Sequence, residues 1–142
     1  MHDKVLQAAT ECIGTPFIHQ GRVIGRGLDC VGLLAHIFES LELPYADEKG
    51  YPRSPYDGKL ESNLDSQQSL RRIDRKDAQA GDVLVMRMKT SPQHIAIHAG
   101  EISGHTYIIH ASSEHGFVVH HRLDNVWRTR IMRAYRITGG DA

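Results

Sequence analysis

The sequence is poor in several features that would assign it quickly. It has two cysteines in 142 residues, too few for the disulfide framework that staples small secreted domains. No apolar run approaches the roughly 20 residues that span a bilayer, and the opening MHDKVLQAATECIG lacks the apolar centre of a secretory signal. Neither sign of charge is in excess. Seventeen Lys and Arg balance seventeen Asp and Glu, so neither nucleic acid nor a membrane surface is indicated as a whole-molecule partner. There is no internal repeat and no low-complexity tract. The expectation is a chain made and folded in a cytoplasm, without membrane insertion, that something else must carry if it acts outside. Its length suits one domain, residues 1–142, with a real core.

Histidine, by contrast, is abundant. There are ten, and seven fall late in the chain: His94, His98, His105, His110, His115, His120 and His121. Basic residues also cluster, at Arg71, Arg72, Arg75 and Lys76 and again at Arg128, Arg130, Arg133 and Arg136. Such clusters read as two solvated faces, one of which could meet an acidic partner.

The hydrophobic period changes along the chain. Val5, Leu6, Ala9 and Ile13 predict a helix over 3–13, stopped by Gly14 and Pro16. Cys12, near its end, reads as an inert core thiol. The glycine-rich stretch GTPFIHQGRVIGRGL (14–28) reads as a loop. Asp29 can cap a second helix whose Leu33, Leu34, Ile37, Phe38 and Leu41 form one apolar stripe, ended by Pro44. Residues 44–63 hold three of five prolines and three of five tyrosines and read as a long loop. A short helix is expected over 64–73. Strands rich in Val and Ile are expected at 82–88, 94–100, 106–112, 117–123 and 130–137. Helices first and strands afterwards predict an α+β fold, with N-terminal helices packed on an antiparallel sheet of about five strands.

Cys30 opens the second helix. The helix dipole and unpaired N–H groups at that end favour a thiolate and suit an oxyanion on an attacked carbonyl. On its own the position fits a packing cysteine as well as a nucleophile. His94 opens a strand, with Ile95 and Ile97 on one face and His94, Ala96 and His98 on the other. A thiol nucleophile needs an imidazole within reach and a third group fixing that ring. His110, on the next strand, is the candidate. His94 and His98 have a spacing that binds zinc on a helix, but the segment reads as a strand and HExxH is absent. No metal and no cofactor are expected, and His98, His120 and His121 read as surface strand residues.

With these residues in place, the chain resembles the NlpC-type family of papain-like cysteine peptidases. GTPF (14–17), LDCVG (28–32), GDVLVM (81–86), HIAI (94–97) and IIHAS (108–112) occur in the family's order. The resemblance implies a papain-like fold with Cys30 as nucleophile, His94 as general base and His110 orienting it. Its implied partner is a peptidoglycan stem peptide, cut at the D-γ-glutamyl to diamino-acid bond. GTPFIHQGRVIGRGLDCVGLL and VWRTRIMRAYRI, together with YPRSPY (51–56), resemble the phage-tail and gene-transfer-agent branch. That branch implies a virion-associated tail-tip enzyme acting in the periplasm or cell wall, beside tail hub or tip proteins. Two positions differ from the family pattern. Phe17 replaces a tyrosine whose hydroxyl helps hold substrate or oxyanion, a loss worth on the order of 10²-fold in rate, for which His19 or Gln20 can substitute. Val31 replaces a serine that can bond the substrate backbone. Asp29 supports the helix terminus. Two other functions share these residues: a structural tail-tip protein with weakened catalysis, and an amidase or acyltransferase using the same Cys-His-His set.

Overall fold

The computed structural model describes residues 2–47, 59–88 and 91–139. YPRSPY and most of the expected 44–63 loop lie outside the described residues. The first helix, α1 (His2–Glu11), buries Val5, Ala8 and Ala9. Within the expected loop 14–28, two short strands, β1 (Arg22–Val23) and β2 (Gly27–Leu28), pair antiparallel.

The second helix, α2 (Cys30–Ser40), buries Val31, Leu33, Leu34, Ile37 and Phe38. It stops before Pro44 for a local reason. Glu42 adopts φ 56°, the Glu42 N–H donates to Glu39 and the Leu43 N–H to Phe38. That pair of bonds is a Schellman ending, which satisfies the last carbonyls without proline.

The helix expected over 64–73 is displaced. Helix α3 is Lys59–Asp65, and Leu70–Ile73 forms strand β3. Leu70 pairs with Ile137 and Ile73 with Ala134 of a strand more than sixty residues away, a tertiary partner that no local pattern reveals. A short 3-10 turn (Arg75–Asp77) follows. Then come β4 (Val83–Met88), β5 (Ser91–Ile102), β6 (His105–Ser112), β7 (Phe117–Arg122), the short helix α4 (Asn125–Arg128) and β8 (Ile131–Ile137). The sheet therefore has six strands rather than about five, in the order β3-β8-β4-β5-β6-β7. Every pairing is antiparallel.

Strand alternation divides the core in two. Val83, Val85, Ile95, Ile97, Ile109 and Val118 pack with the residues of α1 and α2. Leu84, Met86, Ala96, Ile108 and Ala134 face the other way, against Trp127 and Ile131. The basic run near the C-terminus is not simply solvated. Arg136 pairs with fully buried Asp82 at 2.8 Å, and Arg133 pairs with Glu61 and Asp65 of α3. No helix among the described residues is long and apolar enough to cross a membrane.

Candidate functional site

Two glycines let the approach loop pack closely against α2 and against itself. A Cβ on Gly32 would sit 2.1 Å from the Gly21 carbonyl oxygen, and one on Gly21 would sit 2.5 Å from the Gly27 backbone. Only hydrogen fits at either place. Asp29 then fastens the helix end. Its carboxylate accepts from the Gly32 N–H at 2.8 Å, as an N-cap does, and from the Gln20 N–H at 2.8 Å. Arg22 pairs with Asp29 at 3.1 Å and grips Asp47 with two bonds of 2.8 and 3.1 Å.

Cys30 is half-buried and free, as Cys12 is buried and free. The Cys30 sulfur accepts the backbone N–H groups of Ile95 and Val31. It therefore lies against β5 at the residue next to His94. The expected depression of its pKa does not occur. Burial, and then the adjacent Asp29 carboxylate, push the thiol up to about 12. Asp29 caps the helix, and its negative charge offsets the positive end of the dipole beside it. Cys12 is also pushed to about 12, chiefly by burial.

The histidines form a chain with a defined direction. His121 Nδ1 lies 2.9 Å from the Arg122 carbonyl. A carbonyl only accepts, so Nδ1 carries a proton, and in the neutral ring Nε2 is a lone pair. His110 Nε2–H therefore donates to His121 Nε2 at 2.8 Å. Its own Nδ1 is then a lone pair, which accepts from His94 Nε2–H at 2.7 Å. The remaining nitrogen of His94, Nδ1, is left unprotonated. One backbone carbonyl thus sets three tautomers and makes His94 a proton acceptor.

The sheet register builds this chain. Ile97 pairs with Ile109 and His110 with Val119, so each histidine lies diagonally from the next. Trp127 packs on the second and third rings, with centroids 5.0 Å from His110 and 5.3 Å from His121. Burial, with a smaller effect of Arg130, pulls His94 down to about 4. His110 is fully buried. Burial, then the neighbouring His94, His121 and His115, hold it down to about 2. At neutral pH the thiol and both imidazoles are uncharged.

Of the residues singled out from sequence, Cys30, His94 and His110 converge where α2 meets β5 and β6. Phe17 packs at the edge of the core, bridged to Leu28. The Gln20 amide lies 3.3 Å from His19 Nε2, and Gln20 itself has φ 62°. Val31 is 8% exposed and its side chain belongs to the core. It meets the site through its N–H. His121 is corrected from a surface residue to the end of the histidine chain. Its signal in sequence was an alternation that places it two residues beyond the partner of His110, and reading it required the register. Arg22 was missed because both its carboxylate partners come from separate segments. Among the described residues, no three His, Cys, Asp or Glu side chains are grouped to hold a metal ion.

The NlpC/P60 family model matches residues 14–136. Among solved structures, a lipoprotein-like NLP/P60 protein from Staphylococcus aureus superposes with TM-score 0.67 at 17% identity, over 98% of this chain and 42% of its own. The NlpC/p60 domain of the peptidoglycan hydrolase SagA superposes with TM-score 0.64 at 21% identity, over 96% of this chain and 99% of its own. A third, Ly7917, gives 0.63 at 10% identity, over 96% of this chain and 62% of its own. The chain thus spans less than two thirds of the first and third of these. No curated protein matches the sequence.

Proposed function

The chain belongs to the NlpC/P60 family, and from that premise we propose that it is a cysteine endopeptidase cleaving peptidoglycan stem peptides, with Cys30 as nucleophile, His94 as general base and His110 as the residue that orients it. The observation that carries this reading is the directed histidine chain, which leaves an unprotonated nitrogen on His94 beside the strand that cradles the Cys30 sulfur.

The resting pair is neutral, so attack and proton transfer go together. Sulfur adds to the amide carbonyl as its proton passes to His94 Nδ1. The C–N bond breaks as that proton moves to the leaving amine. Water then gives a proton to the same nitrogen and its oxygen to the acyl carbon, and the thiol recovers its proton as the acid leaves. The proposed scissile bond joins D-γ-glutamate to a diamino acid, as the family resemblance implies. The same resemblance supports a place at a phage-like tail tip, acting on the wall. One observation favours the structural alternative: the thiol is raised rather than depressed.

Release of stem-peptide fragments from purified peptidoglycan by the wild-type chain and by Cys30→Ala decides between them. The substitution is expected to lower the rate by at least about 10³-fold, in line with loss of a nucleophile that acts as a unit with its base. Wild-type release unchanged by Cys30→Ala removes the assignment.

A further inference from the structure

Tyr45 follows α2 on a segment fastened at three places around it, Pro44, Ala46 and Asp47. Ser69 Oγ donates to the Pro44 carbonyl at 3.0 Å. Gln67 accepts from the Ala46 N–H at 3.0 Å and donates to the Ala46 carbonyl at 2.9 Å. Both of these side chains are buried, Ser69 at 2% and Gln67 at 5% exposure. Asp47 is held by Arg22, which also holds Asp29 at the start of α2. The Tyr45 ring stacks on Phe38 of α2, 4.7 Å between centroids and 8° from parallel.

This rigid mounting ends in a hydroxyl that is buried and has no hydrogen-bond partner among the described residues. Folding alone gives no reason to hold an orphaned phenol so firmly. The hydroxyl lies within electrostatic reach of Asp47, Arg22, Cys30 and Asp29, and burial keeps it protonated, as a donor. Two neighbouring donors at this end of α2 are engaged. The Val31 N–H points at the sulfur, and the Gly32 N–H is capped by Asp29. Phe17, on the approach loop, brings no hydroxyl.

We propose that Tyr45 is a substrate-binding residue whose phenolic O–H donates a hydrogen bond to the acyl oxygen of the group attacked by Cys30. The inference rests on Cys30 as the nucleophile but not on the identity of the acyl donor. The orphaned hydroxyl acquires its partner only when an acyl group is bound, and the bond shortens as charge develops on that oxygen.

Tyr45→Phe removes the hydroxyl and keeps the ring on Phe38. The variant, the wild type and Cys30→Ala are compared by thermal unfolding, by the burst of p-nitrophenol on acylation with p-nitrophenyl acetate, and by cleavage of a stem peptide. The expected result is an unchanged or higher melting temperature, with acylation by both ester and peptide slowed by roughly 10- to 100-fold. Ester acylation at the wild-type rate overturns the proposal, even where peptide cleavage falls. A clearly lowered melting temperature overturns it too, because the hydroxyl then has an internal partner. A Cys30-dependent ester burst without peptide cleavage defeats the wall-peptide reading while Tyr45 is still judged by the ester. No burst above that of Cys30→Ala defeats both.

Discussion

His121→Phe removes the acceptor at the end of the histidine chain while filling the space under Trp127. His110 is fully buried, so its Nε2–H is left facing an apolar ring. An unmade bond at a buried donor costs about 1–3 kcal/mol. His110 can escape that cost by moving its proton to Nδ1. Two N–H groups then face each other across the 2.7 Å contact with His94, so His94 must shift its own proton to Nδ1. That shift removes the base. The cost that the wild-type chain avoids therefore becomes a bias toward the unproductive tautomer. At about 1.4 kcal/mol per factor of ten, it lowers kcat by roughly 5- to 150-fold. KM is expected to change little, since among the described residues His121 hydrogen-bonds His110 and the Arg122 carbonyl. Steady-state cleavage of a stem peptide measures the split, and imidazole ¹⁵N shifts report the tautomer of His94 directly. His121→Gln, with an amide oxygen for the same N–H, is expected to recover most of the rate. His120→Ala is the control, because that ring sits against Tyr107 instead. Retention of kcat within about twofold by His121→Phe, with His94 Nδ1 still unprotonated, would refute the directed chain.

The remaining predictions concern pH and packing. His94 is lowered to about 4, so kcat/KM is expected to hold as pH falls from 7 toward 5 and to drop only near 4, where the base is protonated; an acid limb at 6–7 in a pH–rate profile contradicts the neutral pair. The same depression acts on stability. Between the ordinary value of 6.5 and about 4 the unfolded chain binds the proton that folded His94 refuses. The contribution is therefore complete above 6.5 and lost as pH falls through that window, with His110 acting in the same direction. Melting temperature across pH 3–8 checks it, and a rise on acidification contradicts it. Gly32→Ala places a methyl 2.1 Å from the Gly21 oxygen; a loss of about 1–3 kcal/mol is expected in chemical denaturation, and an unchanged midpoint would show that the loop yields freely.

Much of the fold was legible because it rests on period. Ile95 and Ile97 against one layer, Leu33, Leu34 and Ile37 on one stripe, and Asp29 before a helix are local statements that chemistry enforces locally. The errors occur where partners are distant. Leu70–Ile73 became a strand because Ile137 and Ala134 were available to pair with it. The early end of α2 came from a left-handed turn at Glu42, a residue with no glycine signature.

The site divides along the same line. Residue types and their order determined the family, the nucleophile candidate and two of the three histidines. The electrostatics did not follow from position, since a helix start predicted a depressed thiol while burial and the neighbouring Asp29 raised it. Only the tertiary structure recruited His121, because the direction of the proton chain depends on sheet register and on one backbone carbonyl. Only it brought the orphaned hydroxyl of Tyr45 to the start of α2, through Arg22, Asp47 and Gln67. Those are contacts between segments far apart in the chain. A sequence states which groups are present, but which of them share a proton or lack a partner is decided by packing.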